Sequence, residues 1–116
     1  FIGSPKMNVI PCRTDGERYE LDGGRGGDFA GERPASHLGI RPEHIALGPA
    51  GSGACDGLVD VIEYLGADTF VIIDAGPLGQ MTCRVAGDTR LGERVGLLFE
   101  GPVHFLDEAG LAVSHG

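Results

Sequence analysis

Residues 58–74 read Leu-Val-Asp-Val-Ile-Glu-Tyr-Leu-Gly-Ala-Asp-Thr-Phe-Val-Ile-Ile-Asp. Two runs, 58–65 and 69–74, are rich in β-branched and aromatic residues, which suit a pleated surface better than a helix. Gly66-Ala67-Asp68 between them is a tight-turn connection, so the stretch predicts a β-hairpin. The same period of two continues outward. Gln80 to Val85 alternates, with Met81, Cys83 and Val85 on the core side and Gln80, Thr82 and Arg84 facing out. Arg94 to Glu100 places Val95, Leu97 and Phe99 on one face. Gly101-Pro102 turns the chain into a last strand that begins at Val103 and Phe105.

Upstream, residues 7–14 predict a strand with Ile10 and Cys12 on one face and Met7 and Val9 toward the other. Pro11 has no N–H for a ladder, which places this strand at an edge or a bulge. Asp15-Gly16 is a turn signal, and Tyr19 and Leu21 alternate with Arg18, Glu20 and Asp22 to complete a second hairpin. Residues 23–35 hold many glycines and little apolar bulk, and predict a flexible Gly-rich loop. His37 to Arg41 predicts a short strand ended by Pro42, and residues 48–57 read as a second loop.

Seven or eight short strands with regular turn signals predict an all-β domain: a small OB-fold-like barrel with additional strands. Composition agrees. The 116 residues include 21 glycines, well over the usual share of about 7%, and seven prolines, which makes a long helical bundle a poor fit. One hydrophobic core is expected at this length.

Charge and motifs exclude several functions. Nine basic residues against 17 acidic ones give a net charge of −8, which opposes binding to nucleic-acid phosphates. No run of 18 apolar residues is present to form a membrane-spanning helix. The three cysteines, Cys12, Cys55 and Cys83, are odd in number and widely spaced. They predict buried free thiols in a reducing compartment. The single lysine, Lys6, precedes Met7, so no phosphate-cradling Gly-Lys-Ser/Thr loop exists. His37, His44, His104 and His115 show no paired ligand spacing for zinc. No Gly-x-Ser-x-Gly elbow surrounds any serine. The residues therefore predict no catalytic residues, cofactor or metal in this chain.

Four segments, in order, resemble one family. Phe1-Ile2-Gly3-Ser4-Pro5-Lys6-Met7-Asn8 is similar to the junction that follows the nucleotide-binding domain of sugar-importer ABC ATPases. Leu38-Gly39-Ile40-Arg41-Pro42-Glu43-His44 is similar to the Gly-Ile-Arg-Pro-Glu-His motif of their C-terminal domain. Glu63, Leu65, Gly66, Asp68 and Thr69 follow its E-x-L-G-x-D/E-T hairpin. Gly92, Val95, His104, Phe105, Asp107 and Gly110 follow its terminal pattern, with Leu106 where Phe is usual.

The resemblance is to the transport-associated OB (TOBE, MOP-like) regulatory domain of maltose or glycerol-3-phosphate type importer ATPases. It implies that residues 1–8 end a linker from a preceding ATP-binding domain and that 9–116 form the regulatory domain. The start at Phe1, without an initiator Met, fits a piece of a longer protein. ATP and Mg would belong to the preceding domain. The partners implied are that domain, a second copy of the subunit in a homodimer, membrane permease subunits, and in some relatives a small-ligand or protein regulator. The location implied is cytoplasmic, peripheral to the inner membrane.

For Arg41, Pro42, Glu43 and His44 two roles stand side by side. One is an internal turn lock, with Arg41 bonded to backbone carbonyls or to Glu43. The other is docking against a neighbouring domain through a bidentate Arg41 contact. Glu63, Gly66 and Asp68 are expected to shape the hairpin. The alternative function is an oxyanion or sugar-phosphate binding module, with Ser52, Gly53, Arg84 and Arg90 as anion candidates.

Overall fold

The computed structural model describes residues 6–113. Phe1 to Pro5, most of the expected linker, together with Ser114 and His115, lie outside them. The described residues form eleven strands and two single-turn 3-10 helices. The first sheet is three-stranded. Its central strand β5 (His37–Ile40) pairs antiparallel with β1 (Asn8–Pro11) and β11 (Val103–Leu106). Pro11 sits on β1, an edge, where its missing N–H costs the ladder nothing.

The main sheet has five strands: β6 (Ile45–Pro49), β7 (Cys55–Leu65), β8 (Asp68–Asp74), β9 (Gln80–Val85) and β10 (Arg94–Phe99). Their spatial order is β6-β10-β7-β8-β9, antiparallel throughout. The deciding hairpin is β7–β8, as the sequence predicts. Its turn is the two residues Gly66-Ala67, with Asp68 already paired to Leu65. Gly66 has φ +65° and Ala67 a negative φ, the pattern of a II′ turn whose twist suits a hairpin. A register shift between Val59 and Val61 marks a bulge that bends β7.

Bending brings the two outer strands, β6 and β9, alongside each other. No hydrogen-bonded ladder joins them, so the sheet forms a partly open, OB-like architecture and not a closed barrel. Ile45, Val59, Val71, Ile73, Met81, Cys83, Val95 and Leu97 are buried inside it. Ile10, Leu38, Ile40 and Phe105 of the first sheet join the same core.

One polar side chain fastens the sheets together. Asn8 is buried. Its Nδ2 donates to the carbonyls of Ile40 (3.1 Å) and Thr82 (2.8 Å), and its Oδ1 accepts from the Thr82 N–H at 2.8 Å. The side-chain amide thus stands in for a strand neighbour of β9, satisfying groups that burial would otherwise leave costly.

A third sheet, β2 (Arg13–Asp15), β3 (Arg18–Glu20) and β4 (Gly27–Asp28), contains the second predicted hairpin. Residues 23–35, expected as a flexible Gly-rich loop, contribute its outer strand. The segment carries β4, and Arg25 N–H donates to the Ala54 carbonyl at 2.7 Å. Phe29 is buried edge-on against Phe105, with ring centroids 4.9 Å apart. Ala35 N–H donates to Thr14 Oγ1, and Arg33 pairs with Asp107 at 2.9 Å. One aromatic ring and a few backbone bonds anchor what composition describes as loop. The strand β6 carries little local signal: Ile45-Ala46-Leu47-Gly48-Pro49 has a single β-branched residue and ends in Gly-Pro.

Candidate functional site

Leu38 to His44 turns the chain from the first sheet into the main one. Leu38, Ile40 and Pro42 are buried, whereas Arg41 and Glu43 are exposed. The corner is held by backbone: His44 N–H donates to the Arg41 carbonyl at 3.0 Å, and Ile45 N–H donates to the Pro42 carbonyl. Pro42 presets the first position of this single 3-10 turn. No hydrogen bond or ion pair joins Arg41 to Glu43 or to a carbonyl among the described residues. The lock therefore exists, but Pro42 and the backbone make it rather than Arg41. His44 rests over Gly101, where a Cβ would come within 2.3 Å of the ring. Its carbonyl accepts from the Glu100 N–H at 2.7 Å, extending the β6–β10 pairing by one residue.

Glu63, Gly66 and Asp68 occupy the projecting end of the β7–β8 hairpin. Glu63 lies opposite Phe70, and both Glu63 and Asp68 are exposed. Gly66 supplies the positive φ that the turn requires. Asp68 has a second setting. With Glu43 it lines an open cleft of about 890 Å³ between β6 and β9, alongside Thr69, Arg84, Asp88 and Glu100. Two motifs distant in sequence thus meet at one cleft. Asp88 and Glu100 join them without any sequence signal, since single carboxylates in turns look solvated.

The anion candidates do not share this cleft. Arg84 stands in this cleft as its single basic residue, against four carboxylates. Ser52, Gly53 and Arg90 do not line it. Ser52 Oγ is engaged by the Pro49 carbonyl at 2.6 Å, closing a local turn. A Cβ at Gly53 would lie 2.2 Å from the Leu97 carbonyl oxygen, which shows how closely its backbone is packed. Among the described residues no three of His, Cys, Asp or Glu converge closely enough to hold a metal ion.

The three cysteines are buried and free. Burial pushes the Cys83 thiol up to about 12, with a smaller push from Cys55. Burial, then Asp56, pushes Cys55 up to about 11. Burial also raises Cys12. The reactive thiolate is disfavoured at each, so they behave as small apolar side chains.

The terminal motif is a turn. Asp107 Oδ1 accepts from the N–H groups of Ala109 (2.9 Å) and Leu111 (3.0 Å), and Oδ2 accepts from Arg33. Arg33 first, then the Leu111 and Ala109 amides, hold the Asp107 carboxyl below its ordinary range. Gly110, with φ +84°, lets the chain reverse beneath it. Asp107 and Gly110 therefore carry a shape requirement.

A partly open five-stranded sheet, the buried Leu-Gly-Ile-x-Pro corner and this terminal turn together define a class. The chain belongs to the TOBE domain family, whose sequence profile matches residues 38–105. Among curated proteins it is similar to the sn-glycerol-3-phosphate import ATP-binding protein UgpC of Salmonella choleraesuis (strain SC-B67), 45% identical over 75 residues. The protein of the same name from Escherichia coli (strain K12) is 46% identical over 77 residues. Each match covers 59% of this chain and 21% of the relative, so the chain spans about a fifth of those proteins.

Proposed function

We propose that the chain is the C-terminal regulatory and dimerisation domain of the ATP-binding subunit of an ABC importer for sugars or related solutes. The observation that carries this reading is the similarity to import ATP-binding proteins over 75–77 residues, a fifth of their length. The family motifs fall on structural corners: a Pro-locked entry to the main sheet, a hairpin turn and a terminal turn. In this reading ATP and Mg bind in a preceding domain, and the permease selects the solute. The whole subunit sits at the cytoplasmic face of the membrane. The domain contacts its own ATP-binding domain and a second copy of itself, and supplies no catalytic group. Arg41 and Glu43, exposed on a rigid corner, are the residues proposed to dock a neighbouring domain.

The coding sequence upstream of Phe1 tests the assignment. A frame holding G-x-x-x-x-G-K-[ST] is expected, and a start codon at or just before Phe1 would sink it. With the full subunit in hand, Arg41→Ala is expected to leave the isolated domain's melting temperature unchanged and lower dimer affinity or ATPase activity. Unchanged dimerisation and activity would remove Arg41 from the docking role.

A further inference from the structure

The outer face of the first sheet carries no carboxylate. Ile10, Leu38, Ile40 and Phe105 point into the core, so alternation turns the residues between them outward. Val9, Gly39 and His104 form one row across the three strands, and Pro11, His37 and Leu106 form the next. Val9 is 51% exposed, and Pro11 and His104 are exposed with it. Arg41 follows β5 with extended backbone, φ −74° and ψ 147°, which carries its side chain to the same face two residues beyond Gly39. It is exposed and has no acidic partner among the described residues. The chain has 17 acidic residues against nine basic ones. An apolar face with one unpaired cation and no Asp or Glu in either row is set apart from such a surface.

Two observations choose the occupant. The first is where the chain enters. The Met7 side chain lies across Gly39, where a Cβ would come within 2.7 Å of its Cε and 3.0 Å of its Sδ. The chain ahead of Asn8 therefore leads onto this face, and a domain joined upstream is tethered beside it. The second is size. Three strands roughly 4.8 Å apart, over five residues of roughly 3.4 Å each, give a face on the order of 200–300 Å². A freely diffusing partner needs roughly 800 Å² on each side, so a second copy of the chain is a poor occupant. A tethered body needs less, because a short linker holds it at about millimolar effective concentration. We propose, resting on the transporter reading above, that the preceding ATP-binding domain seats on the outer face of β1–β5–β11. It would lay apolar side chains on Val9, Pro11 and Leu106 and a carboxylate on Arg41.

The test is maleimide labelling of Val9→Cys and His104→Cys, on two different strands of the face. Tyr64→Cys, near the exposed β7–β8 tip, is the reference. The native cysteines are buried, and mass spectrometry reads each site separately. From the isolated chain to the full subunit, labelling at both face positions is expected to slow at least about tenfold, and at Tyr64→Cys by less than about twofold. The slowing should not depend on protein concentration, and Arg41→Ala should reverse it severalfold at Val9→Cys. Unslowed labelling in the full subunit would overturn the proposal. So would slowing that grows with concentration, which marks a second copy, or slowing that Tyr64→Cys shares equally. A full subunit that carries the G-x-x-x-x-G-K-[ST] loop and leaves the face open sinks this inference alone. An upstream frame without that loop removes the transporter reading, and this inference with it.

Discussion

Gly101 shows how one missing methyl group organises a corner. The His44 ring occupies the space a Cβ would need, at 2.3 Å from its Cγ. Gly101→Ala should force the ring out and cost about 1–3 kcal/mol, read as a lower urea midpoint with an unchanged slope. Asp107 makes a prediction in pH. Its folded carboxyl is held below the ordinary aspartate range. The stability this adds is present above the unfolded value and is lost as pH falls through the depressed folded one. Going from about pH 7 to about pH 3, the wild-type chain should lose more stability than Asp107→Asn. Equal losses in urea melts would show that the turn does not depend on the charge. The thiols give a third test. With Cys55 and Cys83 raised by burial, a thiol reagent near neutral pH should react slowly with the folded chain and rapidly with all three cysteines after denaturation.

Among the elements, β7–β8 was legible because its signal is local. Alternation, β-branching and a Gly-containing turn all lie within residues 58–74, and the ladder follows that register through Leu65↔Asp68. The edge position of Pro11 was legible for a similar reason: a missing N–H is a property of one residue. What escaped was held by distant partners. β6 exists because β10 pairs with it from Val95 to Phe99, and nothing within Ile45 to Pro49 announces that. Residues 23–35 are anchored through Phe29 on Phe105, a contact across the sequence that composition cannot encode. Asn8 is the sharpest case, since its partner Thr82 lies 74 residues away in sequence. Asn8→Ala should leave the Thr82 N–H and C=O without partners and cost about 1–3 kcal/mol. Faster hydrogen exchange at Thr82, with exchange in β7 little changed, would place the loss at this junction.

At the scale of the whole molecule, one core serves the first and main sheets. Ile73→Ala, at its centre and fully buried, should cost about 2–5 kcal/mol. It should broaden amide signals in both sheets, and a response confined to β8 would argue for separately folding halves. The candidate site was half legible. The motifs gave Glu43 and Asp68, but only the curvature of the main sheet brings them to one cleft with Asp88 and Glu100. At this scale too the anion candidates separate, as Arg84 ends among carboxylates in a cleft that Ser52, Gly53 and Arg90 do not line.

The position of Asn8 also has a mechanical side. Strand β1 is held along its length by the ladder to β5 and at its first residue by the Asn8 clamp on Thr82. Tension on the chain ahead of Asn8, directed along β1, would load these bonds together, in shear. The same tension on the β7–β8 tip would open its ladder one rung at a time. A body attached upstream and pulling along β1 would therefore load the β1–β5 ladder and the Asn8 clamp on Thr82 together.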